Sequence, residues 1–520
     1  MTRYAYIAGG ATFSGRRMAE EQEGLAERGA LALLLGIMLL GLLVRLIHIG
    51  AASYWSDELF SVLWVENSYR FIWTEGLWLE TTPALYYALL KPWVAVFGGS
   101  EFAVRGFSAL LSVAAIPAVY AIARQFARPS TALLAAALFA LMPMQVHYAQ
   151  EARAYALLPL LYALACLAAI LLVRRAALAR PNLAWPLALY GLMAVLLVYA
   201  HATSAFTLAG LSACCLCGLL LVRAERRAIL GFLGVNALAV LLSVPEILVI
   251  LDQSGRFDIV WVPRPDAVNL LNALGSLLVD PSTPLTLFRQ ASLLAGGVAV
   301  LFLALLLRSR LGGMAWLLLA APAALFLVST ILASLIASPF FIPRIAVWVG
   351  VPFCILAALA LAAPQPALLR GGFLALLLVA WGVGLEGVYV RSIDTKEDWR
   401  GLAADLAPRL APGDLVAIGP ETNLRGLAFY LDRGVQQHRW RPAGSKEFQL
   451  LFLPAGVPRP QPIATEALAE AVQSGRRVWL VLKQQDWDAF GAAAMQAVPG
   501  HAPTVERGRA RLALLGWAGD

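Results

Sequence analysis

Two adjacent carboxylates, Asp57 and Glu58, sit in the stretch YWSDELFS just beyond a long apolar run. A carboxylate placed there can act as a general base, meeting a lipid-borne substrate on one side and a water-side acceptor on the other. The same pair also reads as acids in the first turn of an interfacial helix, where they stabilise the positive end of its dipole. A second group follows the uncharged run 131–146: His147, Tyr148, Glu151 and Arg153 in HYAQEARAY. Charges this close to hydrocarbon are costly, and they persist where they pair or line a polar cavity. Glu151 and Arg153 could also simply neutralise each other. Three arginines complete the set. Arg45 lies inside the first apolar run with no acid within a helical turn, and Arg105 and Arg344 stand at the ends of later runs. Each either snorkels to the surface or meets an anion such as a phosphate.

The elements that must hold these groups are apolar. Of the 520 residues, 60% are hydrophobic and 14% charged, against about 25% charged in a soluble domain. Thirty of the 72 charged residues fall in 391–520. An apolar body of this kind takes lipid as its solvent, which excludes an ordinary soluble enzyme. Eleven segments have the length and apolarity of spans, at roughly 31–49, 102–123, 131–147, 154–173, 184–200, 204–222, 228–250, 291–307, 314–336, 345–363 and 367–389. Arg124 and Arg128, Arg174, Arg175 and Arg180, Arg223, Arg226 and Arg227, Arg308 and Arg310, and Arg370 all fall in connections on one side. The positive-inside rule then puts the arm 1–30 in the cytoplasm and, after an odd number of spans, 391–520 outside. The net charge of +8 comes from arginines scattered between apolar runs, so membrane topology explains it and no nucleic-acid partner is expected. Cys166, Cys214, Cys215, Cys217 and Cys354 all lie in apolar runs and read as small hydrophobes, with no disulfide framework or zinc site.

The connections on the expected outer side differ from the others. The first, 51–101, interleaves Glu66, Glu75, Glu80 and Glu101 with Trp55, Trp64, Trp73, Trp78 and Trp93, and has room for interfacial helices at 58–66 and 84–97. Another, 251–290, carries Asp252, Asp258, Asp266 and Asp280 among prolines and Trp261, which suits a structured or lid-like loop. Beyond Tyr389 the pattern predicts helices at 396–410 and 423–432 and buried strands at 414–419 and 478–483. This is the signature of a small α/β domain, and it holds no phosphate-binding glycine loop. Docking, acceptor presentation and a purely structural role all fit it.

The stretch RLIHIGAASYWSDELFS, Arg45 to Ser61, resembles the first-loop signature of integral-membrane glycosyltransferases of the GT-C superfamily, especially the family 39 group of protein mannosyltransferase and aminoarabinose transferase relatives. Residues 80–108, including Tyr86, and the block HYAQEARAYAL at 147–157 resemble two further blocks of that family. The resemblance implies a mainly α polytopic membrane fold of GT-C type with an external C-terminal α/β domain. It also implies a polyprenyl-phosphate sugar donor and inverting transfer at the outer membrane face. Asp57 matches the family's proposed catalytic base, and Glu58 would support the site or bind the acceptor. Arg45, Arg105, Glu151, Arg153 and Arg344 would organise the cavity or hold the donor phosphate, with His147, Tyr148 and Tyr86 as further candidates. At Thr81, Thr82 and Pro83 the chain departs from the His-Pro-Pro or Lys-Pro-Pro turn of many relatives, which argues against a metal at this position and against assigning sugar or acceptor by analogy, while a divalent metal elsewhere stays possible.

The expected protein is therefore an undecaprenyl- or decaprenyl-phosphate-sugar-dependent glycosyltransferase of a bacterial inner membrane, acting on a lipid, a polysaccharide or a protein. Many arginines and few lysines suit a GC-rich bacterium. A transferase modifying lipid A or the lipopolysaccharide core is an alternative. A transporter or flippase for lipid-linked sugars is another, although the middles of most spans lack the polar residues it would need.

Overall fold

A computed structural model describes residues 13–79, 81–178, 182–256, 262–279, 288–419, 424–431, 437–440, 461–484, 487–509 and 512–517. Glu80, Arg180, Asp258, Trp261 and Asp280 lie outside the described residues. Among the described residues, nine helices are long and apolar enough to cross a bilayer, from Glu27–Leu46 to Ala367–Arg391. They fall at nine of the eleven expected positions.

The other two positions are also helical, with differences that have physical causes. The segment expected as one straight span at 131–147 is a pair, Pro129–Leu141 and Pro143–Ala149, bent by 53°. Pro143 has no N–H to donate and its ring crowds the preceding turn, so the helix breaks at Met142. The helix Ala184–Ala200 has 17 residues, about 25 Å at 1.5 Å per residue, which is at the short end for a span. The most enclosed of the nine is Pro343–Ala362, 89% of whose apolar window is buried. It opens with a 3₁₀ turn at Pro343–Val349 that carries Arg344.

Helix α1 (Phe13–Leu46) leads into the first connection, where α2 (Ser56–Trp64) and α3 (Leu85–Phe97) form as expected. In α2, Asp57 and Glu58 occupy the first turn, and the Glu58 carboxylate reaches back to accept the Trp55 amide at 3.4 Å. Helix α4 (Glu101–Ala123) begins at Ser100, whose hydroxyl accepts the Ala103 amide and caps the helix.

The C-terminal part carries a six-stranded sheet of order β3-β2-β1-β4-β6-β5, with β1 at Leu415–Gly419, β2 at Gln437–Trp440, β3 at Gln461–Ile463, β4 at Val478–Lys483, β5 at Thr504–Arg509 and β6 at Leu512–Trp517. The strands β3, β2, β1 and β4 pair parallel, and β6 and β5 add antiparallel. Every residue of β1 is buried, as expected for a strand covered on both faces. One face packs with Leu468, Val472 and Ala494 of the helices Thr465–Gln473 and Trp487–Met495. The other face shares a single apolar core with the first connection: Val416, Ile418, Val481, Leu512 and Leu514 join Trp399 and Leu402, and with them Tyr54, Leu59, Phe60 and Trp64.

Candidate active site

The site is built around Glu58, which is fully buried. Arg105 grips it bidentately, Nε to Oε1 at 2.8 Å and Nη2 to Oε2 at 2.7 Å. The remaining Arg105 hydrogens go to the carbonyls of Ile49, Ala52 and Ser53. All five of its N–H groups thus have acceptors inside the protein. With the Trp55 amide already on Oε2, the amide of Ala152 adds a fourth hydrogen bond to Glu58 at 2.9 Å, and Lys396 Nζ stands 3.8 Å away. Burial alone would push the Glu58 carboxyl up, but the guanidinium of Arg105 and then Lys396 outweigh it and hold it below the ordinary value. The pair ties the end of α1, the start of α2, the start of α4 and the 150–153 connection to one point.

Asp57 faces another environment one residue earlier. A third of its side chain is exposed, and its Oδ2 lies 3.4 Å from Nη1 of Arg344. Its backbone carbonyl accepts from Arg153 at 3.3 Å, and the same guanidinium donates to the Tyr87 hydroxyl and to Thr82 Oγ1. Thr82, within the departing turn, is therefore a fixed acceptor. The Arg344 guanidinium lies 5.4 Å from the centre of the Tyr155 ring, and Tyr155 packs edge-on against Tyr148.

Glu151 is buried beside this group, with Oε1 3.3 Å from His147 Nε2 and Oε2 without a hydrogen-bond partner. Burial opposes its ionisation, yet the hydrogen bond and charge of His147, with Lys396 and Arg344 beyond, hold its pKa down at about 2. Three carboxylates, Asp57, Glu58 and Glu151, thus stand with four cations, Arg105, Arg153, Arg344 and Lys396. Leaving His147 aside, the cluster carries one positive charge in excess, the sign that receives a phosphate.

Two of the candidates lie elsewhere. Arg45 is fully buried between helices, donating to Ser112 Oγ, to Gly41 O and, at 2.8 Å, to Ala140 O. Ala140 stands two residues before the break at Met142, where a carbonyl of the last turn loses its helical donor. Arg45 thus supplies a donor at the bend. Tyr86 is buried with its hydroxyl 2.7 Å from Ser108 Oγ, between α3 and α4.

Four residues at the site escaped the sequence reading, Tyr87 beside Arg153 being one. Nδ1 of His201 accepts the Thr203 amide at 3.2 Å, which leaves the proton of the neutral ring on Nε2. Burial, together with the charges of Arg344 and Arg153, pulls its pKa down to about 4. Its only signal was an isolated histidine between two apolar runs. Lys396 and Lys483 also come close: Lys483 Nζ donates to Ser56 Oγ at 2.8 Å. Among the described residues, no group of three or more His, Cys, Asp or Glu side chains is disposed to hold a metal ion. Both Glu58 oxygens are already committed to Arg105.

The family model described as dolichyl-phosphate-mannose-protein mannosyltransferase matches residues 81–191. No curated protein matches the chain. Among solved structures, ArnT from Cupriavidus metallidurans in the apo state superposes with a TM-score of 0.58 at 13% identity, over 94% of this chain and 98% of that one. The same protein bound to undecaprenyl phosphate gives 0.55 at 13% identity, with the same coverage. The fold is that of the GT-C membrane glycosyltransferases, as the first-loop resemblance implies.

Proposed function

We propose that this chain is an inverting glycosyltransferase that moves a sugar from a polyprenyl-phosphate donor to a hydroxyl of a lipid, a polysaccharide or a protein, at the outer face of a bacterial inner membrane. The observation that carries this reading is the partly exposed Asp57 carboxylate 3.4 Å from Arg344. A base and an anion-binding cation meet there within a chain of spans that could hold a polyprenyl tail. The fold it shares with ArnT, a protein crystallised with undecaprenyl phosphate, supports the choice of donor class.

In the reaction, the acceptor hydroxyl gives its proton to Asp57 as its oxygen bonds to the anomeric carbon. The bond from that carbon to the phosphate oxygen breaks, and polyprenyl phosphate leaves with the electron pair. Arg344 and Arg153 stabilise the charge that develops on the leaving phosphate. A phosphate at Arg344 also draws that guanidinium away from Asp57, so donor binding frees the base. Glu58 and Arg105 keep the geometry, and no nucleotide or metal is required by these residues.

The test is a mass-spectrometric comparison of envelope glycolipids and glycoproteins from cells with the chain, without it, and with Asp57→Asn. Loss of one sugar substituent in both the null and the variant is expected. A flippase would keep its product in the Asp57→Asn cells, and that outcome would reject the transferase reading.

A further inference from the structure

The chain holds four lysines, Lys91, Lys396, Lys446 and Lys483, among its 40 basic residues. Two of them grip the residues on either side of Asp57. Lys483 Nζ donates to Ser56 Oγ at 2.8 Å and pairs with Glu397 at 2.9 Å, and Lys396 Nζ stands 3.8 Å from Glu58. The four charged side chains are nearly enclosed, with Lys483 at 8%, Glu397 at 12% and Lys396 at 14% exposure and Glu58 fully buried.

Neither lysine is loosely mounted. Lys483 ends β4, a strand hydrogen-bonded to β1 on one side and β6 on the other. Lys396 lies two residues before Asp398, which caps the helix Trp399–Leu406 and accepts the Ser53 hydroxyl at 3.0 Å. The Arg400 amide donates to the same hydroxyl, and the Tyr54 amide donates to Tyr430. Residues 53, 54, 56 and 58 are therefore all held from the C-terminal part, whereas Asp57 itself faces Arg344 of the membrane body. A helix of nine residues such as α2 does not hold its shape alone. Its first turn must take its position from what it touches.

We infer that the C-terminal domain sets the position of the Asp57 carboxylate, with Lys483 acting through Ser56 and Lys396 acting through Glu58 as positioning residues. The inference rests on the transferase reading for its catalytic consequence. A displacement of the base by about 1 Å is worth roughly 100-fold in rate, so a partial loosening should be visible in turnover. A lysine serves here as a compact point charge on a long flexible stem, able to reach a hydroxyl from a strand end.

The test uses the full chain in lipid nanodiscs with Lys483→Met, Lys483→Arg, Ser56→Ala and the double variant Lys483→Met/Ser56→Ala. Turnover should fall about tenfold in Lys483→Met, while the dissociation constant for undecaprenyl phosphate stays within twofold. Lys483→Arg should recover at least half of the turnover. The double variant should lose no more than the worse single one, because both remove the same contact. Hydrogen exchange of the amides of 56–60 should quicken in Lys483→Met. Turnover within twofold of the parent, losses that multiply, or undecaprenyl phosphate affinity falling in step with turnover would each overturn the inference. The exchange measurement separates the two readings. Faster exchange in a chain that transfers no sugar keeps the anchoring and removes the transferase, and unchanged exchange removes the anchoring alone.

Discussion

Arg344 and Asp57 lie 287 positions apart in the chain and 3.4 Å apart in space. The arginine opens the most enclosed span, and the aspartate opens a short helix of the first connection. Their pairing is the point at which the membrane body meets the loop that carries Asp57.

Asp57→Asn removes the proposed proton acceptor while keeping the shape of the side chain. Transfer from a polyprenyl-phosphate sugar should fall by about 10²–10⁴-fold, the usual worth of a positioned general base. Purified variant protein should elute and melt like the parent. Parent-like turnover would show that another group takes the proton.

Arg344→Ala should weaken donor binding more than acceptor binding. A hydrogen bond to a charged group contributes about 1.5–3 kcal/mol, so the dissociation constant for undecaprenyl phosphate should rise by at least tenfold. Calorimetric titration in nanodiscs measures it directly. An unchanged constant would leave Arg344 as a partner of Asp57 only.

Arg105→Met breaks a buried ion pair and also strands the three carbonyls of Ile49, Ala52 and Ser53. The expected loss is about 3–5 kcal/mol, read as a large drop in melting temperature in detergent. Glu58→Gln keeps an acceptor for Arg105 and should cost less. Equal losses from the two variants would mean that the carbonyl contacts contribute nothing.

The depressed pKa of Glu151 makes a prediction about acid. Its folded value, about 2, lies below the ordinary carboxyl value of 4.5. The stability it contributes as a carboxylate is therefore complete above about pH 5 and is lost as pH falls towards 2. The melting-temperature gap between the parent and Glu151→Gln should narrow as pH falls below 4.5. A gap independent of pH down to 3 would show that His147 does not hold the charge.

The span pattern was legible because charge is scarce in the body, and the same scarcity singled out Asp57 and Arg344 as candidates, although not as a pair. Where few ionisable groups exist, those that remain at span ends are readily noticed. The two short helices of the first connection and the strands at 414–419 and 478–483 were legible from periodicity and from apolar runs bounded by turns. The break at Met142 left a proline as its mark, but prolines occur inside other helices here, as at Pro117 and Pro245, so the residue type alone did not locate a bend. The contact of Arg45 with the Ala140 carbonyl left no mark, because a sequence cannot show a backbone carbonyl in need of a donor. Lys396 and Lys483 were invisible for a different reason. In a domain about 23% charged by count of 391–520, nothing local distinguishes a lysine that reaches 427 positions back to Ser56 from one that is merely solvated.

Strand β6 lies in the sheet between β4 and β5, and its Leu512 and Leu514 belong to the same apolar core as α2. This has a consequence for biosynthesis. The ribosome makes the Asp57 helix early and β6 late, so a nascent chain stalled before residue 512 already contains Asp57 but cannot close the core that seats its helix. On the transferase reading, manufacture itself then acts as a safety catch: half-made protein holds Asp57 without its seat, and a protease that clips the late strand unseats that residue without touching it.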